Sequence, residues 1–489
     1  MAISKKNLSP EAVLQPSKSR EGELQKSLSP LDVWSLALGC IIGWGAFVMP
    51  GNTFLIRAGT AGTMIAMTLG AVIMVIIALN YHFMISRNPV AGGGFAYANK
   101  EFGRTHGFIC AWFLVLSYLS VVPMNATALA LLGRNLTGAL FQFGFHYSFA
   151  GYDIYLGELL LALSVLVLFG LLSMKGTKDS GSSQTVLTIA LVGGVAIFAA
   201  AALVNPKATF ANLSTPCFPE NVNRVASVLS VLAVAPWAFF GFDTIPQAAE
   251  EYNFSHQKAR RLMILSIVFG ALIYITLNTV TASIVPAGYS TYIDYIKNIP
   301  NTKGLMSLPT FYAAYRLLGV SGLILLGVAV LGAILSGING FYMATSRLLY
   351  SMARQGVVPC WFGKLSKKRK TPCNAILFVM LISMMAPFFG RTALGWIVDM
   401  SSIGAAVGFG YTSAASLKRA MVEKYPFTIA TSIMGIIFSI IFVLLLLIPS
   451  RTFGCSLGRE SMFCLAVWVI LGIFFYMRQI NTHTEQNAK

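Results

Sequence analysis

The sequence predicts an all-α, polytopic membrane protein with twelve transmembrane helices, and three observations lead to that fold class. Hydrophobic residues make up 56% of the 489 residues and charged residues only 11%, whereas soluble domains carry roughly 25% charged residues. Apolar stretches of about 20 residues, the length that crosses about 30 Å of hydrocarbon, recur along the chain. Two of these stretches are interrupted by glycine and proline. The few charges could not coat a soluble protein of this size.

The predicted membrane spans follow a polar segment, residues 1–30, which has no apolar run and is expected to be a cytoplasmic tail rather than a signal peptide. The twelve spans are residues 31–57, 62–85, 106–133, 154–173, 183–204, 225–251, 262–285, 317–346, 374–389, 393–416, 427–449 and 460–477. Residues 479–489 are expected to form a second cytoplasmic tail.

The charge of the loops predicts the orientation of the chain. The formal net charge is +18, with 35 Lys and Arg against 17 Asp and Glu. Cytoplasmic loops of membrane proteins collect Lys and Arg, and most of these residues fall on the side of the predicted bilayer that carries the N-terminus. Both termini are therefore expected in the cytoplasm, with the protein in the cell (inner or plasma) membrane. Nucleic-acid binding is not expected, because the basic residues are spread over many short loops without aromatic residues between them.

Several other functional classes lack their sequence signals. The seven cysteines and five histidines include no CxxC pair and no Cys/His cluster, so neither a metal nor another cofactor is predicted. The enzyme motifs HExxH and GxSxG do not occur, and no selectivity-filter sequence or ring of acids suggests a channel. Cys217 and Cys455 fall in loops predicted to lie outside, and a disulfide between them is left open.

The first span carries an interruption at mid-membrane. Gly43 and Gly45 flank Trp44, and Pro50 follows; each interior glycine costs about 1 kcal/mol of helix propensity. Irregular backbone at this depth is tolerated only where it lines a cavity or is covered by protein. One interpretation is a broken helix whose second half points its N–H groups at a carboxylate. The other is close helix packing, since Gly39 and Gly43 also form a GxxxG pair.

The sixth span is interrupted at the corresponding place. Pro236 and Pro246 bracket a stretch that holds Gly241 and Asp243, and proline removes a backbone donor from a helix. Two interruptions at matching positions indicate a repeat, and because five spans separate them the second unit is inverted. Interrupted helices in corresponding positions of two halves are the sequence pattern that points to a transporter site.

Five side chains near the interruptions are candidates for function. A charge near mid-bilayer costs about 2.5–3.5 kcal/mol, so Asp243 is expected to bind a cationic group, carry a proton or hold the broken helix by hydrogen bonds. Glu250, nearer the cytoplasm, is either a gating residue or a solvated charge. Trp44, Trp237 and Phe240 could cover a ligand, although packing is the usual role of such residues.

Four motifs, in chain order, resemble those of the amino acid–polyamine–organocation transporters, and the likeness covers roughly residues 30–480. They are Gly43-Trp44-Gly45-Ala46-Phe47 with Pro50-Gly51, Pro89 with Gly92-Gly93-Gly94-Phe95, Trp237-Ala238-Phe239-Phe240-Gly241-Phe242-Asp243 with Glu250-Glu251, and Ser346-Arg347-Leu348-Leu349-Tyr350 with Pro359. The resemblance implies a 5+5 inverted-repeat fold with repeats at 31–205 and 225–420, and helices 11 and 12 at 425–478 outside the repeat.

The resemblance also implies a substrate held between helices 1 and 6. The implied substrate-binding residues are Ile41, Gly43, Trp44, Gly45, Ala46, Trp237, Phe240 and Gly241, with Asp243 and Glu250 in coupling or gating. The expected function is a secondary active transporter that moves amino acids or related amines by alternating access, with exchange, proton coupling and ion coupling all left open. The alternatives are a membrane nutrient sensor without appreciable flux and a polyamine or organocation exchanger. The expected partners are the small-molecule substrate and the lipid bilayer, and the oligomeric state is left open.

Overall fold

The computed structural model describes residues 24–448 and 456–487, apart from positions 215, 221 and 303. Nearly all regular structure in this part of the chain is helical. The α-helices are α1 (Pro30–Ile41), α2 (Gly45–Met49), α3 (Leu55–Arg87), α4 (Gly93–Phe102), α5 (Arg104–Thr137), α6 (Leu156–Lys175), α7 (Thr177–Val204), α8 (Arg224–Leu232), α9 (Ala235–Ala238), α10 (Thr244–Gln247), α11 (Ala259–Ser283), α12 (Tyr292–Lys297), α13 (Pro309–Leu318), α14 (Val320–Arg354), α15 (Cys373–Ser383), α16 (Gly390–Glu423), α17 (Pro426–Leu447) and α18 (Arg459–Asn487). One hairpin, β1 (His146–Phe149) and β2 (Tyr152–Tyr155), precedes α6.

The helices confirm a polytopic membrane protein. Within the described residues, 8 helical runs are long and apolar enough to cross a bilayer; they correspond to the second to fifth, seventh, eighth, eleventh and twelfth predicted spans. The first, sixth and ninth spans appear as shorter or interrupted helices, and the tenth corresponds to α16, which is not among the 8. The total of twelve crossings therefore stays a prediction.

The boundary between the first two spans differs from the expected loop at residues 58–61. Helix α2 continues through a π-helical turn, Pro50–Phe54, directly into α3. The chain bends at Gly59, whose φ of +64° favours glycine. A Cβ at Gly59 would stand 2.5 Å from the carbonyl oxygen of Cys217, so the bend is formed where another loop packs closely on the helix. Cys455, the other cysteine of the disulfide left open above, lies outside the described residues.

Helix packing has the pairing that an inverted repeat requires. Helix α5 of the third span packs on α16 of the tenth, and α14 of the eighth packs on α7 of the fifth. Likewise α3 of the second span packs on α8 of the sixth, and α11 of the seventh packs on α1 of the first. A shift of five spans within the ten of the repeat converts the third–tenth pair into the eighth–fifth pair. The same shift converts the second–sixth pair into the seventh–first pair. These contacts support the repeat, while its boundaries at 31–205 and 225–420 stay predictions.

The last residues of the predicted N-terminal tail are packed against the helices. Leu24 and Leu28 are buried, and the backbone N–H groups of Ser27 and Leu28 both donate to the carbonyl oxygen of Glu251 at 3.0 Å. The last residues of this segment thus pack on the bundle through two leucines spaced by four, and the assignment of residues 1–30 as a cytoplasmic tail stays a prediction. We call the end of the bundle that holds this segment the inner end, and the opposite end the outer end.

The glycine run after the second span is a packing feature. Gly92 has a φ of +102°, and a Cβ there would overlap the Ser351 side chain of α14. A Cβ on Gly94 would stand 2.7 Å from the Thr412 hydroxyl of α16. The run therefore lets the loop that leads into α4 lie against two long helices at the inner end.

The long segment between the seventh and eighth spans covers the π-helical turn before α3 and the bend at Gly59 within α3, at the outer end. The Tyr292 hydroxyl of α12 donates to the Pro216 carbonyl at 2.8 Å and accepts from the backbone N–H of Thr60 at 3.0 Å. Pro309, the first residue of α13, packs on Gly51. A Cβ added at Gly51 would stand 2.6 Å from the Pro309 ring. This segment therefore holds the second half of the first span in place.

Candidate functional site

The two predicted interruptions are present and lie against each other. Helix α1 ends at Ile41 and the next helical run begins at Gly45; α9 ends at Ala238 and α10 begins at Thr244. Gly241, at the second break, has a φ of +140°. A Cβ at Gly241 would stand 2.6 Å from the backbone nitrogen of Ile41. The two breaks therefore touch backbone to backbone, and a side chain at position 241 would separate them.

The first break leaves backbone groups free of helical bonding. Ala46 N–H donates to the Gly43 carbonyl at 3.2 Å, and Phe47 N–H donates to the Trp44 carbonyl at 3.0 Å. Within the described chain, the N–H groups of Gly43, Trp44 and Gly45 have no hydrogen-bond acceptor. They stand at the start of the 43-residue helical run Gly45–Arg87. Unpaired N–H groups at such a position favour a negative charge.

A small cavity lies where the two breaks meet, and we call it the central cavity. Its volume is about 20 Å³, which is room for about one water molecule. Five of the sequence-predicted substrate-binding residues line it: Ile41, Gly43, Trp44, Trp237 and Phe240. The Ile41 carbonyl oxygen accepts a hydrogen bond from the Tyr274 hydroxyl at 3.3 Å. The cavity thus combines released backbone groups with large aromatic surfaces.

A second, larger space opens toward the outer end, and we call it the outer cavity. Its volume is about 230 Å³. Its lining includes Asn52, Tyr152 of the hairpin and Asp399 of α16, together with Trp44 and Trp237. Both tryptophans also line the central cavity, so the two spaces adjoin at this pair of residues, which we call the indole partition.

The predicted residue Gly45 supports one half of this partition. A Cβ at Gly45 would overlap the Trp237 ring, so the indole rests directly on the backbone at the start of the helical run. Phe240 is held from two sides, with its ring stacked on Tyr118 at 5.1 Å and on Phe341 at 5.4 Å between centroids. Such stacked rings stabilise the structure beyond the burial of their apolar surface. They hold Phe240 in place in the lining of the central cavity.

Asp243 is fully buried and lines neither cavity. Its Oδ2 accepts from the Tyr118 hydroxyl at 2.6 Å, and its Oδ1 accepts from the Gly241 N–H at 3.1 Å. Gln247 Nε2 donates to the same Tyr118 hydroxyl at 3.0 Å. Of the three roles expected for Asp243, these contacts supply the third, which is to hold the broken helix by hydrogen bonds.

The inner end below the breaks is closed by charged groups. Arg347 of α14 makes a bidentate pair with Glu251, with Nε–Oε1 at 2.6 Å and Nη2–Oε2 at 3.3 Å, and both side chains are buried, at 2% and 0% exposure. Glu250 lies beside it in a more open pair with Arg354 at 3.1 Å and also accepts from the backbone N–H of Ala91. These contacts join the end of the sixth span to α14 and to the loop before α4.

Three other predicted site residues lie near the central cavity without lining it. Ala46 is fully buried behind the first break, Gly45 lies beneath Trp237, and Gly241 contacts the backbone of Ile41. They shape the site through close packing. Glu250 lies at the inner end, away from the cavity lining.

Sequence reasoning missed the part of the lining that other helices contribute. These residues are Val121, Met124 and Asn125 of α5, Tyr274 of α11 and Phe341 of α14. One signal was available, because Asn125 is a polar side chain inside an apolar span, where such residues are costly and often functional. The others are aromatic or aliphatic residues that look like ordinary core in the sequence.

Comparisons with known proteins agree with this architecture. A family model described as amino acid permease matches residues 28–475. The branched-chain amino acid permease BcaP of Bacillus subtilis (strain 168) is 26% identical over 488 residues, covering 96% of each chain. The methylthioribose transporter of the same organism is 26% identical over 484 residues, covering 96% of each chain. The low-affinity putrescine importer PlaP of Escherichia coli (strain K12) is 23% identical over 412 residues, covering 84% of each chain.

The names of these relatives span several substrate chemistries. A branched-chain amino acid is a zwitterion with an apolar side chain, methylthioribose is an uncharged sugar derivative, and putrescine is a diamine. The similarity therefore indicates a transporter architecture without selecting one substrate, and the lining of the cavities has to supply that distinction.

Proposed function

The chain belongs to the amino acid permease family, and on that basis we propose that it is a secondary transporter that carries amino acids or related amines by alternating access. The observation that supports the proposal most directly is the meeting of two broken helices at a cavity inside the bundle. Broken helices that face each other in this way offer main-chain groups to a small charged solute.

The released backbone groups suit the two charged ends of an amino acid. The N–H groups at Gly43, Trp44 and Gly45 begin a long helical run, and we propose that they hold the carboxylate, since a helix N-terminus favours negative charge. The carbonyl oxygens of Ile41 and Phe240 are proposed to hold the amino group. The indoles of Trp44 and Trp237 would cover the bound molecule on the outer side.

Alternating access requires one end of the pathway to be open while the other is closed, and the two ends of this protein differ in that way. The outer cavity reaches the indole partition, while ion pairs and backbone hydrogen bonds close the inner end. We propose that the inner end faces the cytoplasm of the cell, in line with the excess of Lys and Arg expected there. In the alternate state the sixth span would move away from α14 and open the inner end.

The experiment is uptake into proteoliposomes. Purified protein would be reconstituted and loaded with unlabelled solute, and entry of labelled amino acids, methylthioribose and putrescine would be measured against protein-free vesicles. We expect saturable uptake or exchange of at least one solute. Folded protein that binds a solute but moves none would favour the nutrient-sensor alternative, and folded protein that neither binds nor moves any member would contradict the proposal.

The same assay tests the proposed coupling role of Asp243. We expect Asp243→Asn to keep an oxygen that accepts from the Gly241 N–H, to make the Tyr118 hydroxyl an acceptor of the amide NH₂ group instead of a donor, and to remove the ionisable group, and so to change the pH dependence of uptake. An unchanged rate and pH profile would remove Asp243 from the coupling mechanism and leave it the structural role that its contacts describe.

A further inference from the structure

A compact loop at the inner end carries a concentrated positive charge, and we call residues 364–370 the basic loop. Five of its seven residues are basic and none is acidic, in the order Lys364-Leu365-Ser366-Lys367-Lys368-Arg369-Lys370. The Ser366 N–H donates to the Thr371 carbonyl at 2.8 Å, and the Lys370 N–H donates to the Ser366 carbonyl at 2.9 Å. These bonds close the loop into one tight turn on the way from α14 to α15.

The basic loop is docked on the end of α6. Arg369 Nη1 donates at 2.5 Å to the carbonyl oxygen of Lys175, the last residue of α6, where a helix favours a cation. Lys178, at the start of α7, adds a further charge, and Asp179 is the acid that follows it. Within the described chain, none of these seven basic side chains forms a salt bridge. The positive charge of this surface therefore exceeds what its protein neighbours neutralise.

The two helices next to the basic loop present apolar side chains outward. Leu168 and Leu171 of α6 are 61% and 49% exposed, and Leu381 of α15 is 55% exposed. A Cβ at Gly170 would stand 2.7 Å from the Met380 sulfur, so α6 and α15 pack closely side by side. Exposed leucines on such a helix pair form a surface that suits lipid acyl chains.

An exposed tryptophan lies at the same end of α15. Trp361 is 41% exposed, and its carbonyl oxygen accepts from Asn374 Nδ2 at 2.9 Å. Its ring meets Phe362 edge to face at 5.1 Å, and Phe362 meets Phe378 of α15 in the same way. Tryptophan is enriched where the membrane meets water. The basic loop is therefore expected at the depth of the lipid headgroups.

We propose that the basic loop, together with the inner ends of α6 and α15, binds an anionic phospholipid of the bilayer. The lysine ammonium groups face the phosphate, and the acyl chains lie along the apolar surface of the two helices. Clustered Lys and Arg beside a membrane span attract anionic lipids. The excess of Lys and Arg in cytoplasmic loops explains on which side of the membrane these residues lie, but it does not require five of them in one closed turn. The proposal does not depend on which solute the protein carries.

The basic loop is also in contact with the closed inner end. Leu365 packs against the buried cluster of Leu24, Ala91 and Tyr350. Leu24 belongs to the N-terminal segment whose backbone bonds to Glu251 help to close this end. A lipid held at the loop therefore lies beside residues of that closure, and its binding is expected to raise the thermal stability of the protein.

The test measures lipid binding by the purified full chain in a neutral detergent. Phosphatidylglycerol is the anionic lipid and phosphatidylcholine the zwitterionic one, and native mass spectrometry gives the affinity for each. Wild-type protein is expected to bind phosphatidylglycerol about tenfold more tightly. The variant Lys364→Gln/Lys367→Gln/Lys368→Gln removes three exposed charges and leaves the contact of Arg369 with α6. It is expected to lose most of that preference.

A control variant removes the same charge elsewhere. Lys207, Lys297 and Arg316 are exposed and scattered over the outer end, and replacing all three by Gln is expected to leave the preference for phosphatidylglycerol unchanged. Equal loss in both variants would mean that net charge alone attracts the lipid, and would overturn the site. Wild-type preference in the basic-loop variant would overturn it as well.

Two further measurements separate the possible sources of phosphate and need no variant to fold. Phosphatidylglycerol is expected to raise the unfolding temperature of wild-type protein, and high salt is expected to abolish the rise, because exposed charges are screened. A rise that persists in high salt would contradict the role of the lysines. Inorganic phosphate at the same concentration is expected to have no effect. Stabilisation by phosphate equal to that by the lipid would show a site for a free anion and overturn the assignment to a phospholipid.

Discussion

The inner and outer ends of the transport pathway are closed by different chemistry. At the inner end, the buried Arg347–Glu251 pair and the backbone bonds from Ser27 and Leu28 join three segments of the chain. At the outer side of the site, the central cavity adjoins an open space at the indole partition. A buried charge that loses its partner is strongly destabilising, whereas an aromatic ring can turn at low cost. The difference indicates that the inner closure is the larger energetic barrier to opening.

The inner closure is also connected to the site along the chain. Glu251 lies on the same segment as the break at Gly241, a few residues beyond α10. A movement of the sixth span around a bound solute would therefore pull Glu251 away from Arg347 directly. The outer partition needs no such movement, because Trp44 and Trp237 are side chains at the cavity itself.

The largest expected effect comes from breaking the buried pair on one side. Arg347→Leu leaves Glu251 buried without its cation, and we expect the free energy of unfolding to fall by about 3–5 kcal/mol. Denaturant or thermal unfolding of the purified protein measures it. The double variant Arg347→Leu with Glu251→Leu should recover most of the loss, because paired apolar replacements of buried ion pairs are often neutral. A single variant as stable as wild type would show that the pair does not seal the inner end.

The next effect tests the contact between the two breaks. Gly241→Ala puts a Cβ at φ +140° and within 2.6 Å of the Ile41 nitrogen, so we expect backbone strain of about 1–3 kcal/mol and loss of most uptake. Gly327→Ala on α14 is the control, since a Cβ there meets nothing within 4 Å. Uptake of the Gly241→Ala protein at the wild-type rate would mean that the breaks need not touch.

The sequence predicted both breaks because their causes are local. Glycines at positions 43 and 45 and the prolines that flank Gly241 weaken a helix wherever it packs. By the same local reasoning Asp243 stood out as a costly charge, but nothing in the sequence showed whether its carboxylate faced the cavity or the helix. The structure answers this through Tyr118, a residue of another span.

The remaining parts of the site depend on how helices are rotated and paired. Asn125 could be recognised as polar within a span, yet the face that it presents to the breaks depends on the packing of α5. Both Arg347 and Glu251 are visible as charges, but they are 96 residues apart, and many other ion pairs were equally consistent with the sequence. Long-range side-chain pairs of this kind follow from the assembled bundle rather than from any local pattern.

A smaller effect is expected at the outer partition. Gly45→Ala pushes a Cβ into the Trp237 ring, and overpacking of this kind costs about 1–3 kcal/mol when the ring cannot move. Because the ring edge can swing into the outer cavity, we expect the low end of that range and a several-fold rise in the KM for uptake. Adding Trp237→Leu should relieve the overlap in unfolding experiments. If Gly45→Ala destabilises the protein as much as Arg347→Leu, the outer closure is as rigid as the inner one.

The smallest effect is expected at the exposed neighbour of the buried pair. Glu250 pairs with Arg354, whose side chain is 46% exposed, and such pairs contribute about 0–1 kcal/mol. Glu250→Gln removes the charge but keeps an oxygen that can accept from the Ala91 N–H, so only the ion pair is lost. We expect the free energy of unfolding to fall by less than about 1 kcal/mol, and the difference from wild type to shrink further in high salt, because exposed pairs are screened. A salt-independent loss as large as that of Arg347→Leu would mean that Glu250 also holds the inner end closed. Glu250 and Glu251 would then act together in that closure.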